Sequence, residues 1–255
     1  MRNLSNGASP ARRALTVFIL GATLLLCPGG PAAMASAADP PLQETVNAIL
    51  VAYGGKEQLA RVKTIVAQGR IDDFLRRVSG GYARAMRRPG GLRIDILPER
   101  GGEVRILDRG QGWQGSGNDL RPANPLSLSS MRYQYGYLDL PMSLADGSAT
   151  VRHGGKRDLY GQAMELLLVD LAEAPQLRVY IDPTTHLIRR VEADFAMGGM
   201  GTSQLGTEYE DFRPAAGVLF PCRLHNYAGE QRISTLTIER LSVNQPLPPG
   251  TFPAP

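Results

Sequence analysis

Three histidines, His153, His186 and His225, are the first side chains to test for chemistry, because imidazole serves as metal ligand and as general base near neutral pH. None has a second histidine or a cysteine at ligand spacing, so the pattern does not make a zinc site. Two acidic pairs, Asp72-Asp73 and Glu208 with Glu210, could share a proton or a cation. Residues i and i+2 of a strand share a face, so Glu208 and Glu210 are spaced to sit together. No base, nucleophile or metal partner completes a mechanism at either pair, and solvated strand or turn positions account for both. There is no G-x-S-x-G elbow and no S-x-x-K, the commonest signatures of exported serine hydrolases. Gly110, Gly112 and Gly115 match G-x-G-x-x-G, but Ser116-Gly-Asn118 continues a turn instead of opening a helix that would cradle phosphate. The pairs Arg87-Arg88 and Arg189-Arg190, if extended, each send one side chain to either face of a sheet, and a solvated surface is expected for all four. Residue chemistry therefore points to a non-enzymatic protein, with no catalytic residue, metal or cofactor assigned.

The N-terminus carries an address. Arg2, Arg12 and Arg13 precede an apolar run from Ala14 to Leu26, and Ala35-Ser36-Ala37 fits a small-residue cleavage site. The run stops at Cys27-Pro28-Gly29-Gly30, short of the roughly 20 apolar residues that a membrane span needs. Residues 1–37 are expected to be a cleaved signal peptide, and 38–255 a single domain in the periplasm with no transmembrane span. The alternative is a membrane-tethered lipoprotein anchored through Cys27, although Leu26 stands where such motifs place a small residue. Three of the 28 basic residues lie in the signal, which leaves 25 against 24 acidic ones. A near-neutral mature chain gives no support for nucleic-acid binding. Only Cys222 remains after cleavage, so no intrachain disulfide can form. Its run, Val218-Leu-Phe-Pro-Cys222, marks it as a small core hydrophobe.

Periodicity supplies the elements. Leu42, Val46, Ile49, Leu50 and Tyr53 recur at helical spacing, and Gly54-Gly55 closes that helix. A short second helix from Lys56 to Val62 turns Leu59 and Val62 to the same core. Strands are expected at 64–74, 81–87, 91–97 and 103–108, with a further short one carrying Trp113. Pro122 to Leu144 reads as one or two short helices that cover a sheet face or a cavity. Strands resume near Thr150 and run through 164–171, 176–182, 187–195, 202–212, 217–227 and 232–243. Ala196 to Gly201 is a hairpin tip, and a proline-rich tail follows from Pro246.

The run Tyr180-Ile-Asp-Pro-Thr-Thr-His-Leu-Ile188, then Thr207-Glu-Tyr-Glu-Asp-Phe-Arg213, Gly217-Val-Leu-Phe-Pro221 and Asn244 to Phe252 form a recognisable outline. With the early Tyr53-Gly-Gly55, it resembles exported proteins of the outer-membrane lipoprotein-sorting type, the LolA/LolB-like superfamily. The resemblance implies an α+β fold, a strongly curved antiparallel β half-barrel of about eleven strands with helices covering its concave face. In the periplasmic carrier of that superfamily, the concavity holds the acyl chains of a lipoprotein. The resemblance thus implies a carrier or binding protein for a lipidated or hydrophobic ligand, with possible envelope-protein partners. Adaptable side chains suit variable acyl chains, which makes Met131, Tyr135, Met142, Met197 and Met200 the candidate cavity or lid residues. The alternative is an envelope accessory protein that uses the half-barrel as an interaction scaffold and holds no lipid.

Overall fold

The structure, a computed structural model, describes residues 40–98, 102–117, 119–196 and 201–252. The expected signal peptide with Cys27, and the candidates Met197 and Met200, lie outside the described residues. Two helices, α1 (Pro40–Ala52) and α2 (Lys56–Ala60), lead into six strands: β1 (Thr64–Asp73), β2 (Val78–Arg87), β3 (Gly91–Pro98), β4 (Glu103–Asp108), β5 (Gln111–Ser116) and β6 (Asp119–Pro122). A long helix, α3 (Pro125–Asp146), precedes seven more: β7 (Thr150–Leu159), β8 (Gln162–Asp170), β9 (Leu177–Ile181), β10 (Ile188–Ala196), β11 (Thr202–Ala215), β12 (Val218–Ala228) and β13 (Gln231–Val243).

All thirteen strands form one antiparallel sheet in the order β6-β5-β4-β3-β2-β1-β13-β12-β11-β10-β9-β8-β7. Two meanders therefore meet where β1 pairs with β13, and α3 must link one edge strand, β6, to the other, β7. Thirteen strands side by side span about 58 Å of arc at ordinary spacing. A helix of 22 residues is about 33 Å long, and its few flanking residues add at most about 17 Å. The connection is shorter than the arc, so the sheet curls and α3 lies across its concave face.

The strand number exceeds the expected eleven or so. The unexpected strand is edge strand β6, which reads Asp119-Leu-Arg-Pro122, whereas edge strand β7 begins at the expected Thr150 and is exposed along most of its length. An edge strand like β6 carries charge and proline instead of alternating apolar residues, so it lacks the period by which strands are found. The expected short strand carrying Trp113 is β5, which takes in Gly112 and Gly115 of the glycine-rich match. A side chain at Gly112 would meet Leu128 and Met131 of α3 at 2.9 and 3.1 Å, so glycine there lets the helix lie close.

The one or two short helices expected between 122 and 144 are one continuous helix. Asn124 caps its start by accepting the Ser127 N–H at 2.9 Å, and Gly147 ends it with φ 77°. Pro141 sits inside it and leaves the Tyr137 carbonyl without its helical donor. The Tyr209 hydroxyl donates to that carbonyl at 2.8 Å, which is how the helix tolerates the proline.

The segments behind the family resemblance converge on one residue. The Tyr53 carbonyl accepts the Leu219 N–H, its hydroxyl accepts the Ile188 N–H, and its ring meets Phe212 edge-on. Gly54 packs so tightly that a side chain would strike the Gly217 carbonyl. These positions seat α1 on the sheet. The core runs along the concave face, where Leu167, Val179, Val191 and Leu224 are fully buried beneath the helices. Each such side chain contributes roughly 1.5–3 kcal/mol. Cys222 belongs to this core, and burial pushes its thiol up, away from reactivity. Outside the sheet, the tail crosses β2 and β3, with the Thr251 carbonyl accepting from Arg93 and Arg87 stacked 4.6 Å over Phe252.

Candidate functional site

Between α3 and the concave face the core is not filled. A cleft of about 290 Å³ lies between Tyr82 and Ile94 on the sheet, Tyr133 and Tyr137 on the helix, and Leu236 and Thr207 beyond. A second, of about 380 Å³, adjoins it under Leu126, Met131 and Phe195. Arg76, Arg105, Ser130 and Leu205 line both, so the two clefts adjoin there. Their sizes fall in the lower range of small-molecule sites. The walls mix apolar and polar groups, among them Asn226, Ser234 and Gln134, whose Oε1 is buried without a bonding partner.

The helix spacing explains the walls. Tyr133 and Tyr137 are one turn apart and stack edge-on at 5.0 Å, and Tyr133 also stacks on Phe195. The Tyr133 hydroxyl lies 3.0 Å from the Val191 carbonyl, to which it donates, so the ring is fixed to the sheet. Burial raises the phenols of both tyrosines, which leaves them neutral wall groups.

Two concave arginines differ in their compensation. Arg84 on β2 and Arg105 on β4 flank Ile94 in register. Arg105 bonds Glu103, which also takes Arg76 at 2.7 Å. Arg84 is 4% exposed, and no protein group bonds its Nε or Nη1 among the described residues. Its guanidinium borders a small void of about 20 Å³ shared with Tyr137, Tyr209 and Met142.

One end of α3 is pinned by Arg88, which follows β2. It bonds buried Asp139, reaches Asp146 at 2.7 Å, and approaches the Val62 carbonyl at 3.4 Å. Ser143 donates to the same Asp139 at 2.6 Å. Burial raises the Asp139 carboxyl above its ordinary value, against the pull of Arg88 and Ser143.

The sheet's outer face holds a denser polar network. Arg190, expected at a solvated surface, is 5% exposed and bonds Glu192 at 2.7 Å and Glu208 at 2.8 Å. Tyr160 and Tyr227 each donate to Glu208 at 2.7 Å. Burial raises Glu208, but these hydrogen bonds outweigh it and hold the carboxyl below its ordinary value. Glu210 instead faces His225 at 3.3 Å, so the acidic pair shares a strand without sharing a site.

The candidates from sequence are placed unequally. Met131 lines the second cleft, and Met142 borders the void beside Arg84. Tyr135 faces the β2–β3 turn, where its hydroxyl accepts the Gly90 N–H at 2.8 Å and burial pushes its pKa up to about 12. The sequence reading missed Arg84, Tyr82 and Tyr133. The alternation Tyr82-Arg84-Met86 within the expected strand 81–87 was the signal, since it puts an arginine on an otherwise inward face.

No family model matches the chain, and no curated protein matches it. Among solved structures, the fold is similar to a DUF1329 family protein from Desulfovibrio piger, with 10% identity, 84% of this chain and 97% of that chain covered, and a TM-score of 0.53. A LolA superfamily protein from Nitrosomonas europaea matches at 14% identity, covering 84% and 97%, with a TM-score of 0.49. An outer membrane lipoprotein-sorting protein domain from Vibrio parahaemolyticus matches at 10% identity, covering 81% and 94%, with a TM-score of 0.48.

Proposed function

We propose that this protein is an exported, non-enzymatic carrier or binding protein for a lipidated or otherwise hydrophobic ligand, held between α3 and the concave face. The observation that carries the reading is the pair of adjoining clefts beneath a helix spanning the open sheet. The sequence resemblance to lipoprotein-sorting proteins supports the same ligand class and a periplasmic location after cleavage near Ala37. No helix among the described residues is long and apolar enough to cross a membrane. Met131 supplies a deformable wall to the second cleft and Met142 to the void beside Arg84, and Met197 and Met200 are kept as candidates from the sequence alone.

The test is binding of a neutral apolar fluorophore, 1-N-phenylnaphthylamine, to the mature protein. Ser130→Trp, at the junction of the clefts, should weaken binding at least about tenfold while leaving Tm near that of the wild type. Equal dye binding by both proteins would place the ligand elsewhere. No binding at all, with a stoichiometric envelope partner recovered by pull-down, would favour the scaffold alternative.

A further inference from the structure

We infer that Arg84 is the headgroup site of this cavity, selecting single-chain amphiphiles that end in an oxyanion, a carboxylate or a phosphate. The inference rests on the carrier reading above and names the ligand class for that site.

Three observations carry it. Arg84 is 4% exposed, and its Nε and Nη1 have no bonding partner among the described residues. A guanidinium stays protonated wherever it is buried, so it cannot relieve that burial by losing its charge. Arg84 itself lines the small void, not the cleft, but its neighbours reach the cleft. Tyr82, two residues earlier on the same strand face, and Ile94, its register partner, both line the 290 Å³ cleft. Tyr137 lines that cleft and the void of about 20 Å³ against Arg84, so one aromatic ring separates the two spaces.

The surroundings exclude a protein counter-ion. Arg105, the other concave arginine in the row, is matched by Glu103, whereas the neighbours of Arg84 are Tyr82, Tyr137, Tyr209 and apolar groups. Burial raises those three phenols, and the Arg84 charge acts on each in the opposite sense. The Tyr82 and Tyr137 phenols can donate to an oxyanion without competing for it, while the Tyr209 hydroxyl already donates to the Tyr137 carbonyl. A head entering past Tyr82 and Tyr137 would meet two free N–H groups, with its chain lying in the apolar part of the clefts. The free Nε and Nη1 lie on different edges of the guanidinium, so each donates singly to a carboxylate or phosphate oxygen.

The experiment displaces 1-N-phenylnaphthylamine from the full mature protein at pH 8 with palmitate, hexadecyl phosphate or neutral hexadecanol. The wild type should bind at least one anion about 10- to 100-fold more tightly than hexadecanol, the range for a hydrogen bond to a charged group. Whichever anion wins identifies carboxylate or phosphate as the head. Arg84→Met should abolish the preference, and Arg84→Lys should keep part of it. If Arg84→Met does not fold, the wild-type comparison and the lysine variant still decide. Equal wild-type affinity for all three would overturn the inference, assign Arg84 to a single buried water, and leave the carrier reading intact. Binding of none of them, nor of the dye, would overturn both.

Discussion

Arg84 and Arg190 are buried to nearly the same degree, on opposite faces of one sheet. Arg190 is saturated: Glu192, Glu208 and Tyr160 take its donors, and Gly206 opposite leaves the guanidinium room to lie flat. Arg84 has none of this, and beside it lies space. The outer cluster has the composition of a structural network, with each charge answered by another residue of the chain. The inner one leaves a charge for something that is not part of the chain. Burial alone does not separate the two roles, but hydrogen-bond satisfaction does.

The largest expected effect comes from breaking the saturated side. Arg190→Met leaves Glu208 without its cation and buried Glu192 with only the longer pair to Arg178 at 3.3 Å, and urea unfolding should show a loss of about 3–5 kcal/mol. Arg84→Met should do the reverse. It removes an uncompensated buried charge, so the ligand-free protein should gain about 1–3 kcal/mol in the same assay. A loss of similar size at both positions would erase the distinction between them. Tyr209→Phe frees the Tyr137 carbonyl beneath Pro141 and should cost about 1–2 kcal/mol, with weaker helical signal on heating.

The smallest effect concerns pH. Hydrogen bonds hold the carboxyls of Glu208, Asp182 and Asp194 below their ordinary values, the last chiefly through Arg178. A lowered folded pKa gives stability that is present above the unfolded value, about 4, and is lost as pH falls through the folded value. Thermal melts should therefore fall steadily below about pH 4, and less steeply in Arg190→Met, where part of the Glu208 contribution is already gone.

Much of the fold was legible because its interior strands alternate. Leu177, Val179 and Ile181 were read as one inward face and are all buried. The helix at 42–53 was equally plain, with Ile49, Leu50 and Tyr53 in the core. Edge strand β6 was not, since its four residues are mostly exposed and carry no apolar period. Pro141 suggested a break that a tyrosine 68 residues away repairs, and no local pattern carries that information. The cavity was harder still. Methionines and aromatics mark adaptable packing, but which of them line space depends on how α3 crosses the sheet. Arg88 and Arg190 looked like surface charges because their partners, Asp139 and Glu208, are distant in sequence.

The central claim is that the space under α3 holds an acyl-chain ligand, and native mass spectrometry of the mature protein addresses it most directly. Purified from the envelope without detergent, the wild type should carry a non-covalent species with the mass of an amphiphile, and Ser130→Trp should not. A bare polypeptide mass for the wild type, unchanged after incubation with envelope lipid, would contradict the account.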